Sequence, residues 1–225
     1  MQAPPLSQLD YQLLLAVPVI PLVGYVINVF FGRYLPRKGD WLLTGGMFFV
    51  MCITVYMFTK ALGAEGGCFH ESVKEGGPSY GWLYEPGTKP KGLNLVAGLL
   101  YDPLGAAMLA VVGVVSFFVH LFSMGYMQGD HRYHIFFANI SLFTFAMLGL
   151  VLADNILFLF VFWELMGLMS YLLIGHFGQD PKSPRIREAA AACKKAFLTT
   201  RVGDTCLLFG MCIFYLHFET FSFSE

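Results

Sequence analysis

Charge is what this sequence has little of. Asp, Glu, Lys and Arg together make up 13% of its 225 residues, about half the share of an ordinary soluble domain. A chain so poor in charge cannot clothe itself in a water-facing surface, so its surface faces lipid. Other absences narrow the chemistry. There is no G-x-G-x-x-G and no P-loop, so nothing supports nucleotide binding. Cys52, Cys68, Cys193, Cys206 and Cys212 show no C-x-x-C spacing or cluster suited to an iron–sulfur centre. Four of them lie in or beside apolar runs, where cysteine packs as a small hydrophobe. No two histidines stand at i, i+4, so no metal site is expected. Nothing basic precedes Tyr11, which excludes the n-region of a signal peptide. The first apolar run is therefore expected to stay attached. A net charge of −1 points to no partner by bulk electrostatics, and no nucleic acid is expected.

What is present is apolar length. Crossing a bilayer core of about 30 Å takes roughly 20 apolar residues at about 1.5 Å each. Six runs meet this: roughly 13–31, 41–62, 103–124, 135–153, 155–175 and 196–218. None alternates at period two, so a β-barrel is excluded. The expected fold class is all-α, a polytopic membrane protein of about six transmembrane helices. Its first part, 1–134, holds helices one to three and an extramembrane loop at 63–101. Its second, 135–225, holds helices four to six. The loop is rich in Gly and Pro, which predicts turns and a short hairpin. Its Tyr80, Trp82 and Tyr84 suit the interfacial aromatic belt better than a ligand site. Two GxxxG spacings, at Gly63–Gly67 and Gly77–Gly81, fall in this loop and are not helix-dimer motifs.

Basic residues alternate between linkers. Arg33, Arg37 and Lys38 follow run one; Arg132 follows run three; Lys182, Arg185, Arg187, Lys194 and Lys195 follow run five or open run six. These are nine of the fourteen basic residues. The positive-inside rule places these linkers in the cytoplasm or matrix and the N-terminus outside. Lys74, Lys89 and Lys91, in the 63–101 loop, run against it.

Glu164 is the anomaly, a carboxylate near the middle of "LVLADNILFLFVFWELMGLMSYLLIGHF". Placing a charge at the bilayer centre costs about 2.5–3.5 kcal/mol on insertion scales. Flanking Leu, Ile and Phe offset that cost without explaining why the acid is kept. Gly167 and Tyr171 share its helical face, three and seven residues on, and Gly167 leaves room for a close neighbour. In "ACKKAFLTTRVGDTCLLFG", Arg201 and Asp204 stand three apart on one face of a helix, with Lys194 near that face and Lys195 turned about 100° from Lys194. Such a pair serves either as a helix lock or as part of a proton relay, since a carboxylate's proton affinity rises with burial and falls beside a cation. His120, inside run three, is expected to be a hydrogen-bonded structural residue.

The stretches "YDPLGAAML", "VLADNILFLFVFWELMGLMSYLLIGHF" and "KAFLTTRVGD" closely resemble the large antiporter-like subunit of respiratory complex I. In bacteria this is the L subunit of NADH:quinone oxidoreductase, in mitochondria NADH dehydrogenase subunit 5. The resemblance runs from about Tyr101 to Asp204, with a slightly long 178–190 loop. It implies an antiporter-like fold of two inverted five-helix repeats, of which this chain would hold an incomplete first one. It also implies proton-translocating roles for Glu164, Arg201 and Asp204, with Lys195 matching the family's lysine of that segment. The family's key lysine of helix seven has no counterpart here, and the chain reads as the first six helices of a longer protein. NADH, FMN, iron–sulfur clusters and quinone would be held by other subunits, with no cofactor in this chain. Partners would be the bilayer, protons and the other membrane subunits, in a bacterial cytoplasmic or organellar inner membrane. The large subunit of a multisubunit Na+/H+ antiporter is the alternative, together with related hydrogenase and bicarbonate-uptake complexes. A non-transporting membrane scaffold is the alternative of another class.

Overall fold

The computed structural model describes residues 8–63, 71–72, 80–83, 95–97, 99–179, 186–218 and 221. Six long helices make up most of the described residues: α1 Gln8–Phe31, α2 Asp40–Gly63, α3 Pro103–Tyr126, α4 Tyr133–Val151, α5 Ile156–Ile174 and α6 Ile186–Phe218. All six are long and apolar enough to cross a membrane. This is a multi-pass membrane protein of helical architecture. Five helices begin and end within a few residues of the apolar runs. The exception is α6, which starts ten residues before its run, so the last five residues of the expected 178–190 loop are helix. The added turns, "IREAAAACKK", are mostly Ala, Lys, Arg and Glu, which form helix without needing an apolar face.

Local chemistry sets the helix starts. Asp102 caps α3 by accepting the Gly105 N–H at 2.6 Å, with Pro103 next in line. Asn155 caps α5 by accepting the Phe158 N–H at 2.7 Å, and Asp154 holds the Asn155 amide at 2.9 Å. Each cap satisfies an N–H that the first helical turn leaves unpaired. The four residues between α4 and α5 then fold the two helices back to back.

Helix α4 lies at the centre, packed on α1, α3 and α5, with Phe137, Ala138, Ser141, Ala146 and Leu148 buried. Helix α1 contains Pro18 and Pro21, which remove two backbone donors inside the span; at the second, Ser141 Oγ donates to the Pro21 carbonyl at 2.8 Å. Close approaches need glycine. A Cβ on Gly113 of α3 would lie 2.2 Å from Thr54 Oγ1 of α2, and one on Gly149 of α4 would lie 2.4 Å from the Phe162 ring of α5.

Between α2 and α3 the chain forms two short antiparallel pairs, one nested in the other. Strand β1 Glu71–Ser72 pairs with β4 Leu100–Tyr101, and β2 Tyr80–Leu83 with β3 Leu95–Ala97. Glycine and proline between apolar stretches favour such reversals. Tyr84, Cys68, Lys74, Lys89 and Lys91 lie outside the described residues, as do Lys182 and Arg185.

The helix ends separate into two groups. At one end Asp10 pairs with Lys60 at 2.5 Å, and the Tyr101 hydroxyl donates to the Met57 carbonyl at 3.0 Å. Burial first, then the Asp10 carboxylate, pushes the Tyr101 phenol up to about 12. At the other end the basic linkers meet at Asp130. Lys38 Nζ donates to its carbonyl at 3.0 Å, and His176 Nε2 sits 3.2 Å from its carboxylate.

Candidate functional site

Helices α5 and α6 bring the acid of one onto the base of the other. Glu164 stands eight residues into α5, and Arg201 fifteen residues into α6. At about 1.5 Å per residue both lie at mid-depth of their helices. The Arg201 guanidinium pairs with the Glu164 carboxylate and stands 3.6 Å from Asp204 Oδ2, one turn along its own helix. The base therefore sits between two acids, and the nearer acid is Glu164. Sequence spacing alone gives Arg201 to Asp204.

The surroundings fix that guanidinium. It lies over the Phe197 ring, 4.5 Å from the centroid, where a desolvated cation gains from the ring's negative face. Phe197 in turn meets the Tyr171 ring at 5.2 Å. Gly167, one turn beyond Glu164, faces Arg201; a Cβ there would meet Arg201 Nη2 at 3.9 Å, an ordinary contact. The face formed by Glu164, Gly167 and Tyr171 is thus the face that receives α6. Arg201 Nε is buried and makes no hydrogen bond among the described residues.

Trp163 is the member that sequence reasoning missed. Its indole Nε1 donates to Asp204 Oδ1 at 2.8 Å. The signal was a tryptophan next to the acid of an apolar run, because an indole N–H inside a membrane span needs an acceptor. Asp204 is the most enclosed of the three charges, its side chain 9% exposed against 27% for Glu164 and 29% for Arg201.

Lys195 is not part of this cluster. It lies six residues before Arg201, about 9 Å along the helix and turned to another face. It is exposed, and makes no ion pair among the described residues. Lys194 is exposed too. His120 is fully buried, its Nδ1 bonded to the Ser116 carbonyl at 2.8 Å and its ring against Phe137. Its Nε2 has no hydrogen-bond partner among the described residues. Cys193 is buried and free, while Cys52, Cys206 and Cys212 are free and exposed. Among the described residues no group of three or more His, Cys, Asp or Glu could hold a metal ion.

Two family models match along the chain. Residues 88–137 match "NADH-Ubiquinone oxidoreductase (complex I), chain 5 N-terminus", and residues 153–225 match "NADH:quinone oxidoreductase/Mrp antiporter, TM". Together they account for more than half of the sequence. The chain belongs to the antiporter-like subunits of the complex I and Mrp family.

The relatives bear the names of that family. The chain is 36% identical to NADH-quinone oxidoreductase subunit L of Escherichia coli, over 92% of this chain and 31% of that protein. It is 40% identical to F(420)H(2) dehydrogenase subunit L of Methanosarcina mazei, over 88% of this chain and 26% of that one. It is 46% identical to the chloroplast NAD(P)H-quinone oxidoreductase subunit 5 of Mesostigma viride, over 65% and 21%. The chain thus spans between a fifth and a third of the length of these relatives. The antiporter-like fold also recurs in solved structures. An archaeal membrane-bound sulfane sulfur reductase superposes with a TM-score of 0.71 at 19% identity, covering 96% of this chain and 39% of that one. The Mrp complex from Dietzia sp. does so at 0.67 and 24%, covering 95% and 20%.

Proposed function

We propose that this chain is the N-terminal part of a proton-translocating membrane subunit in a complex I-type oxidoreductase, and that Glu164, Arg201 and Asp204 move the proton. The observation that carries the reading is the Glu164–Arg201 pair joining α5 to α6 at mid-depth. Two acids and one base leave one negative charge over, which one proton neutralises. A carboxylate facing a cation stays ionised, and one that loses its cation in a dry site takes up a proton. Arg201 stands within reach of both acids, so a small swing of its guanidinium exchanges which acid is matched. That swing would load a proton on Glu164 and release it again. An intramembrane cluster of this kind marks an ion path more readily than a scaffold.

Electron transfer would take place in other subunits, where NADH, FMN, iron–sulfur clusters and quinone would be held. One relative is named for F(420)H(2) and another for NAD(P)H, so the electron donor would vary among assemblies that share this kind of subunit. Lys195 would act on the proton path apart from Glu164, because Glu164 is matched here by Arg201. The N-terminus would face the outer side, with the Asp130 end of the bundle in the cytoplasm or matrix.

Glu164→Gln tests the reading in the assembled complex. The amide keeps the shape but cannot titrate. Assembly and NADH oxidation with an artificial acceptor should stay near normal, while proton pumping and coupled quinone reduction fall steeply. Glu164→Asp should retain part of both. Normal pumping by Glu164→Gln would reduce the residue to a structural anchor and end the proposal.

A further inference from the structure

A second polar site lies at the opposite level of the bundle from the α4–α5 turn, where α2 begins, α3 ends and α4 begins. A cavity of about 420 Å³ opens there, lined by Arg37, Lys38, Asp40, Gln128, Asp130 and Tyr133 and floored in part by Gly125 and Gly129. That size falls within the range of small-ligand sites, about 300–1,000 Å³.

The lining carries both signs of charge, and each charge rests on a neutral group. The Arg37 guanidinium lies over the Trp41 ring at 5.3 Å, and Lys38 Nζ lies 5.9 Å from the Tyr133 centroid and donates to a backbone carbonyl. Neither cation pairs with a carboxylate among the described residues. Asp40 is buried and accepts the Trp41 N–H at 2.7 Å and the Tyr133 hydroxyl at 2.9 Å. Asp130 accepts the Arg132 N–H at 2.6 Å and faces His176. Both carboxylates keep lone pairs free, since each oxygen can accept more than one hydrogen bond.

The backbone is bent to present this arrangement. Arg37 and Lys38 take left-handed conformations at φ 51° and 55°, followed by Gly39 at 82°. For a residue with a side chain this conformation is costly, because Cβ crowds the following carbonyl oxygen. Gly129 needs to be glycine for its own φ of 92°. Gly125 does not, yet a Cβ there would meet nothing within 4 Å, so its bareness leaves the cavity open. The depth is set by aromatics. Tyr34, Trp41 and Tyr126 are all exposed at this end, as side chains at the headgroup level of a membrane are.

We propose that this cavity binds the headgroup of a zwitterionic phospholipid carrying a primary amine, of the phosphatidylethanolamine type. The phosphate would take N–H donors from Arg37 and Lys38, and the ammonium would donate to Asp40 and Asp130. A purely anionic headgroup would meet two carboxylates, and a quaternary ammonium has no N–H to give them. The stacked rings of Phe122 and Tyr126, exposed on α3 beside Gly125, would flank the acyl chains.

The test is native mass spectrometry of the complete chain, released from detergent after incubation with equimolar palmitoyl-oleoyl phosphatidylethanolamine, phosphatidylglycerol and phosphatidylcholine. The ethanolamine lipid should be retained at least tenfold over each of the others. Equal or preferred binding of phosphatidylglycerol overturns the proposal. Arg37→Gln with Lys38→Gln should lower retention tenfold or more, and Gly125→Leu should do the same without removing a charge. Arg187→Gln, at the same membrane end but outside the cavity, should leave retention unchanged. A loss in Arg187→Gln as large as in the Arg37 and Lys38 double variant would mean general surface charge and refute the site. Melting temperatures should match the parent chain, so that a folding defect is not mistaken for lost binding; retention unaltered in folded Gly125→Leu refutes the cavity. A hundredfold excess of free phosphoethanolamine should leave the lipid bound, and its displacing the lipid would assign the cavity to a soluble phosphoamine instead.

Discussion

Trp163 holds Asp204. The indole N–H reaches the carboxylate at 2.8 Å, so the residue adjacent to Glu164 in sequence fixes the acid that competes with Glu164 for Arg201. One helix therefore sets both sides of the contest, through neighbouring side chains about 100° apart. Trp163→Phe keeps the ring and removes the donor. Asp204 should then draw Arg201 closer and leave Glu164 less well matched. Proton pumping in the assembled complex should fall several-fold while the amount of complex in the membrane is unchanged. Pumping at the parent rate would show that the hydrogen bond has no part in the transfer.

The Glu164–Arg201 pair can be measured as a coupling. Arg201→Gln leaves two acids with no cation, and it should harm assembly more than Arg201→Gln combined with Glu164→Gln. Removing one member of an enclosed pair costs more than neutralising both. Coupled neighbours show interaction energies of roughly 0.5–3 kcal/mol. Both side chains keep more than a quarter of their exposure, so the lower part of that range is expected. Glu164→Gln alone should be the mildest of the three, because Arg201 retains Asp204. Additive effects on the thermal midpoint of the purified protein would mean that the pair contributes nothing.

The fold was legible because lipid leaves few options: length and apolarity located six helices within a few residues. The start of α6 was not, since its Ala- and Lys-rich opening carries no apolar run. Glu164, Arg201 and Asp204 could be singled out because charge is rare in such segments. Their pairing could not, because helical spacing relates only residues on one helix and the Glu164–Arg201 contact joins two. Trp163 was hidden by type: among so many aromatics its indole donor did not stand out. Lys195 shows the converse, a charge found by resemblance that lies on another face from the cluster.

Helix approach gives a prediction about stability. Gly113 lets α3 lie against Thr54 of α2, and a Cβ there would meet Thr54 Oγ1 at 2.2 Å with Thr54 Cβ at 3.2 Å. Thr54 is fully buried, so it has no room to turn away. Gly113→Ala should lower stability by about 1–3 kcal/mol, the usual cost of overfilling a packed site. Adding Thr54→Ala removes the oxygen and should restore much of the loss. Thermal unfolding in detergent measures both, and an undisturbed Gly113→Ala would contradict the close packing of the two helices.

The arrangement of the helix ends carries the last prediction, the direction of the chain across the membrane. Lys38, Asp130 and His176 come from the linkers after α1, α3 and α5, and their contacts draw the three linkers to one end. Asp10 and Lys60 mark the other end. The bundle therefore has one basic end, and the bias of Lys and Arg toward the cytoplasmic or matrix side sets which way it faces. In a background without the native cysteines, Ser183→Cys should react with an impermeant maleimide only from the cytoplasmic or matrix side. Ser79→Cys should react only from the opposite side. Lys74, Lys89 and Lys91 oppose this orientation, but three spans, α3 to α5, separate their loop from Lys182, so both linkers cannot satisfy the rule at once. The basic linkers hold the larger share, nine of fourteen, and they should prevail. Labelling of Ser79→Cys from the cytoplasmic side would reverse the orientation, and would put the Asp130 cavity in the outer leaflet instead of the inner.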